Sequence, residues 1–129
     1  MTLVLDASAL IAHLDSSDAH HETVEGLLLS ATGETLAASP ITLAEVLVGP
    51  ARAGQLDRAR DALETLGVRT VALDADSPAR LATMRARTAL KLPDCCVLVA
   101  AQTLRATVVT FDDRLAAAGR TLDLDVLGA

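Results

Sequence analysis

The chain has 129 residues, 51% of them hydrophobic, with a single aromatic, Phe111, and a formal net charge of −6. That is the length of one ordinary domain, with apolar material enough to bury a core without disulfide or metal staples, which excludes a disordered chain. Every Lys and Arg lies from Arg52 onward. An acidic chain poor in aromatics lacks the usual footprint of a nucleic-acid binder and argues against binding by base stacking.

In chain order, "TLVL" from Thr2 reads as a short strand buried on both faces. "DASALIAHL" follows as a helix, with Asp6 at the junction. "SDAHHETVEGLLLSATG" is a second helical stretch ending at Gly33, and "TLAA" (Thr35 to Ala38) a second strand. In "SPITLAEVLVG", Ser39 is the N-cap, Pro40 the first helical residue and Gly49 the stop. "GQLDRARDALETLG" is amphipathic, with Leu56, Ala59, Leu63 and Leu66 on one face. "VRTVAL" is a third strand, and "DSPARLATMRARTALK" a helix opened by Ser77 and Pro78. "DCCVLVAAQTLRA" is a nearly all-apolar helix, hence central. "TVVTF" is a fourth strand, "DDRLAAAG" a helix closed by Gly119, and "LDVL" a fifth strand. Strands alternating with helices predict one α/β domain over residues 1–129, a three-layer sandwich around a mostly parallel sheet of four to five strands.

The two cysteines, Cys95 and Cys96, are adjacent and have no other cysteine to pair with. They read as small buried hydrophobes of a reducing compartment, and the chain is expected in the cytoplasm. No His or further Cys stands at zinc-ligand spacing. "MTLVLDASAL" has no basic start and meets an Asp too early for a signal peptide, and no apolar run is long enough to span a membrane.

In open parallel sheets, ligands bind outside the carboxyl ends of the strands. Asp6 ends "TLVLD", Asp112 ends "TVVTFD", and Asp94 opens the apolar helix after Pro93. Each could be only an N-cap. Glu45 is different, because it lies beyond the first turn of its helix and shares a face with Ile41, Ala44 and Val48. Acids meeting in one crevice raise each other's pKa, and a hard divalent cation relieves the repulsion. Such a site suits metal-assisted phosphodiester hydrolysis, with Asp94 serving as both cap and ligand. "RARTALK" adds Arg85, Arg87 and Lys91 just upstream of Asp94, either as a phosphate track or as a solvated helix face. His13 sits near a helix end and His20 and His21 look exposed, with no motif beside any of them.

Four motifs in order, "VLDASALIA", "TLAEVLVG", "LPDCCVLVAA" and "VVTFDDRLA", resemble those of a PIN domain, over about Leu3 to Ala118. More narrowly, their order and the chain length resemble a VapC-type ribonuclease toxin of a bacterial toxin–antitoxin pair. The resemblance implies an Mg²⁺- or Mn²⁺-dependent endoribonuclease, with Asp6, Glu45, Asp94 and Asp112 as its catalytic, metal-binding acids. Ser8 and Thr110 would help position water or metal through their hydroxyls. It also implies an RNA substrate, a homodimer, and a cognate antitoxin whose C-terminal segment lies across the cleft. The family pattern "T-x-D" selects Asp112; the adjacent Asp113 could substitute for it or cap the next helix. Rival readings are a phosphorylation-dependent receiver module and a catalytically inactive PIN-like interaction domain. The receiver lacks its acid pair at the first strand and its Lys after the fifth. A haloacid-dehalogenase-type phosphatase would need D-x-D where this chain has "DAS".

Overall fold

The computed structural model describes all 129 residues as five strands and seven helices. The strands are β1 (Thr2–Leu5), β2 (Thr35–Ala38), β3 (Val68–Thr70), β4 (Thr107–Thr110) and β5 (Val126–Gly128). All four pairings are parallel, in the order β3-β2-β1-β4-β5. β1 is therefore central, with Leu3 opposite both Leu36 and Thr107. Three or four residues per strand suffice because both faces are covered.

The helices are α1 (Ala7–Leu14), α2 (His21–Ser30), α3 (Pro40–Arg52), α4 (Leu56–Leu66), α5 (Ser77–Thr88), α6 (Leu92–Leu104) and α7 (Asp113–Thr121). Successive strand residues face opposite ways, and this splits the core in two. Leu3, Leu5, Ala38 and Val109 pack with buried residues of α1 to α4. Val4, Ala37 and Val108 pack with α5, α6 and α7. The result is the expected three-layer sandwich, with a sheet that is wholly rather than mostly parallel. Helix α6 is buried from Cys95 through Ala101 without a break, which is why it reads as apolar all round.

Several boundaries differ from the sequence reading. The stretch from Asp15 to His20 is a turn, held where the Asp15 carboxylate accepts the Ser17 amide and hydroxyl and the Asp18 carboxylate accepts the His20 amide. Helix α2 ends at Ser30, before Gly33. Helix α3 does not stop at Gly49 but carries Pro50 inside it, where a proline costs one intrahelical hydrogen bond and is tolerated close to the end. β3 is an edge strand and keeps only three residues of "VRTVAL", although the Val71 amide still donates to the Ala38 carbonyl. Helix α7 runs through Gly119, which serves close packing instead of termination: a Cβ there would lie 3.1 Å from Val126 Cγ2. β5 starts two residues later than "LDVL".

Candidate active site

The chain builds β1, β2 and β3 outward to one side, then crosses to place β4 and β5 on the other. The switch point lies between the carboxyl ends of β1 and β4, where an open parallel sheet leaves a crevice. Asp6 follows β1 directly and Asp112 follows β4 by two residues.

Asp6 is only 4% exposed and is held at every side. As the N-cap of α1, its Oδ1 accepts the Ala9 amide at 2.9 Å and the Ser8 hydroxyl at 2.7 Å. The buried Thr110 hydroxyl donates to its Oδ2. The Ser8 hydroxyl also accepts the Phe111 amide at 2.9 Å, and Thr110 Oγ1 accepts the Asp112 amide at 3.0 Å. Ser8 and Thr110 thus clasp β4 to the start of α1 and fix the orientation of the Asp6 carboxylate.

Asp112 is the N-cap of α7, its Oδ1 accepting the Arg114 and Leu115 amides. The capping role open to Asp113 therefore belongs to Asp112, because Asp113 is already the first helical residue. Asp94 differs from expectation too. The cap position of α6 is Lys91, which makes no side-chain capping bond, and the helix begins at Leu92. First-turn amides have no intrahelical partner, so Pro93 enters without cost and leaves Asp94 as the third residue of the helix. Its half-buried carboxylate is used by no cap.

Glu45 projects from α3, but the face it shares with Ile41, Ala44 and Val48 is the exposed one; Thr42 and Val46 make the buried face. The apolar neighbours on the helical wheel are therefore not a buried environment for it.

Charge coupling shows which acids act on one another. Burial raises the Asp6 carboxyl above its ordinary pKa against the pull of the Thr110, Ser8 and Ala9 hydrogen bonds, and Asp112 adds to the rise. Burial raises Asp94, and Asp112 and Asp6 push it further; Lys91 and Arg114 offset part of this. Partial burial raises Glu45, with Asp94 and then Asp6 adding and Lys91 opposing. The structure thus gathers Asp6, Glu45, Asp94 and Asp112 at one crevice; Asp113 perturbs none of them. Asp6 and Asp94 are each coupled to all three of the others.

No three His, Cys, Asp or Glu side chains close into a ready-made metal cage. The donor set nevertheless fits a hard divalent ion, since Mg²⁺ needs one or two carboxylates and keeps several waters. Thr42 supports the fit: its hydroxyl is buried with no hydrogen-bond partner, one turn before Glu45 on the same helix. The sequence reading missed Thr42, visible only as the T of "TLAE", and Arg114, which follows Asp113 and faces Asp94. Arg85 and Arg87 are exposed, and Arg85 donates to the Leu90 carbonyl. Of the basic trio, Lys91 alone acts on the acids. Burial raises both cysteine thiols, which keeps them protonated and inert, as the sequence suggests.

A PIN-domain model matches residues 3–120. The chain belongs to the PIN-domain family. It is 30% identical to a chain of a toxin–antitoxin complex from Klebsiella pneumoniae, over 89% of this chain and 90% of that one, with a TM-score of 0.72. The fold also matches VapC20 of Mycobacterium tuberculosis, described as a sarcin-ricin-loop-cleaving toxin, at 19% identity and a TM-score of 0.74, over 91% of this chain and 95% of that one. VapBC2 of Rickettsia felis, bound to a promoter DNA fragment, matches at 18% identity and a TM-score of 0.72, over 98% and 97% of the two chains. No curated protein matches the sequence. This PIN-domain chain has no helix long and apolar enough to cross a membrane. The receiver alternative falls with the family and with the topology, because receivers follow the strand order 2-1-3-4-5.

Proposed function

We propose that this protein is a divalent-metal-dependent endoribonuclease, acting as one domain over residues 1–129 and as the toxin of a toxin–antitoxin pair. The observation that carries the reading is the mutual charge coupling of Asp6, Glu45, Asp94 and Asp112, with the Asp6, Glu45 and Asp94 carboxyls raised. A cluster that resists its own ionisation is poorly designed for structure and well suited to a cation. RNA as the substrate is supported by the family and by the cleavage named for the Mycobacterium relative.

Asp6, Asp94, Glu45 and Asp112 would hold Mg²⁺ or Mn²⁺, which when bound supplies a water of lowered pKa and neutralises charge on the scissile phosphate. The rest is done by the chain itself. Ser8, Thr110 and the Ala9 amide fix the Asp6 carboxylate before substrate arrives, so no reorganisation is needed there. Lys91 and Arg114 bring positive charge to the rim of an otherwise repulsive crevice, where a phosphate must pass.

The partners follow from the same electrostatics. A cognate antitoxin with an Arg or Lys aimed at the acids would compete with metal, since Arg pairs with carboxylates in a bidentate way. The toxin–antitoxin complex from Klebsiella supports that partner, and a homodimer and a cytoplasmic site of action complete the reading. The test is incubation of the purified, antitoxin-free protein with total cellular RNA in Mg²⁺ or EDTA, followed by mapping of new ends. The expected result is a small set of discrete ends in Mg²⁺ alone. Ends that form equally in EDTA, or none in either, would refute the assignment.

A further inference from the structure

Phe111 is the only aromatic of the chain, and it stands between two residues of the site, Thr110 and Asp112. Its amide is fixed by Ser8 Oγ, the same hydroxyl that donates to Asp6. Its ring is partly buried against the α1–α4 side of the core. On that ring lies the imidazole of His20, with centroids 4.4 Å apart and planes inclined by only 3°. His20 comes from the turn before α2, is exposed, and caps nothing with its side chain. Its backbone is fixed on both sides, the amide donating to Asp18 Oδ1 at 2.8 Å and the carbonyl accepting the Val24 amide. Neither ring nitrogen makes a hydrogen bond, unlike those of the other two histidines. His13 Nδ1 is engaged by Glu25 Oε1, and His21 Nδ1 by the Ala12 carbonyl.

A flat ring has two faces. One face of the His20 imidazole is spent on Phe111, and its exposure leaves the other, with both nitrogens, open to solvent. We propose that the His20–Phe111 stack is a base platform, on which a nucleobase next to the scissile phosphate lies against the outer face of His20. Phe111 supplies the rigid backing and His20 the contact surface. Histidine is among the side chains on which unstacked RNA bases rest. Stacking tolerates any base, so the platform positions the strand and leaves sequence choice to other contacts. The scarcity of aromatics in the sequence argues against base stacking only while Phe111 is considered alone. The second ring comes from 91 positions away in the chain.

This inference rests on the ribonuclease reading, and the experiment separates the two. The probe is a short single-stranded RNA spanning a cut site mapped in total RNA, with 2-aminopurine on either side of the scissile phosphate. Its fluorescence reports stacking. With wild-type protein, one of the two positions is expected to change on binding. His20→Ala should abolish that change and raise KM about 5- to 10-fold, the lower part of the range for loss of one base–aromatic contact. His20→Phe should restore both. An abasic residue at that position should weaken wild type and leave His20→Ala unaffected, a dependence that a purely structural role for His20 does not produce. If wild type cleaves the probe in Mg²⁺ and His20→Ala matches it in KM and in fluorescence, the platform is refuted while the nuclease stands. If wild type does not cleave in Mg²⁺, the ribonuclease reading fails and the platform with it.

Discussion

Two acid-lined surfaces occupy this molecule. Beside α4, Asp57, Asp61 and Glu64 line a cleft with Arg60 among them. Around the ends of β1 and β4, Asp6, Glu45, Asp94 and Asp112 act on one another, and burial with mutual repulsion raises Asp6, Glu45 and Asp94. Both surfaces carry several acids, and the presence of carboxylates alone does not distinguish them. What does is the floor. The α4 acids are all exposed and stand on an outer helix, where water solvates them freely. The crevice acids stand around Asp6, which is withdrawn from water and kept in place by three donors. Repulsion that solvent would screen is retained there, and a cation becomes the natural remedy.

The largest way to break the comparison is to exchange single charges on the two surfaces. Asp94→Asn should leave a folded protein by circular dichroism with RNA cleavage down about 10²-fold or more, the scale of losing one well-placed electrostatic group. Asp57→Asn, on the outer helix, should alter the initial rate by no more than about twofold, as isolated surface changes do. Equal losses in the two variants would erase the distinction.

Next in size is the support beneath Asp6. Thr110→Val conserves volume but deprives the buried carboxylate of a donor, a loss of about 1–3 kcal/mol. The Thr110 bond favours the charged form, so its removal should raise the folded-state pKa of Asp6 further. The penalty is therefore expected to be larger at pH 7 than near pH 4, and urea titrations at both values measure it.

The metal response comes third. Asp6, Glu45 and Asp94 have folded-state pKa values above their unfolded ones, so between those values the folded chain binds more protons. Their contribution to stability is full below the unfolded pKa, about 4, and is lost as pH rises through the folded value. At neutral pH, divalent metal at about ten times its dissociation constant should add roughly 1.4 kcal/mol. For a domain of this size that is a rise in Tm of about 4–8 °C, read by scanning calorimetry with Mg²⁺ or Mn²⁺ against EDTA. Asp57→Asn should keep the rise and Asp94→Asn should lose most of it.

The smallest expected effect is in the metal-free protein. Asp94→Asn removes one repelling charge from a carboxylate that makes no cap bond, and Tm should move upward by less than the metal shift. Asp57→Asn should leave Tm in place.

Much of this was legible in the sequence, and the misses have physical causes. Asp6 and Asp112 could be found because each ends an apolar strand run and starts a helix, a local pattern. Glu45 stands out in the sequence for its position past the first turn, but its face of the helix does not show its surroundings, since Ile41 and Val48 face solvent. Asp94 was placed as a cap because Pro93 reads as a break, yet a proline fits the first turn and the helix begins earlier. Gly49 and Gly119 likewise read as stops, yet both helices run through them, Gly119 because it packs closely on Val126. Thr42, Arg114 and the His20–Phe111 stack depend on contacts between distant segments, and no local pattern announces those.

The most direct test of the central claim is Mn²⁺ binding followed by electron paramagnetic resonance in wild type, Asp94→Asn and Asp57→Asn, without RNA or antitoxin. The account predicts a saturable site in wild type, the same affinity in Asp57→Asn, and an affinity at least about tenfold weaker in Asp94→Asn, where a charged ligand is gone. Unchanged Mn²⁺ affinity in Asp94→Asn would contradict it.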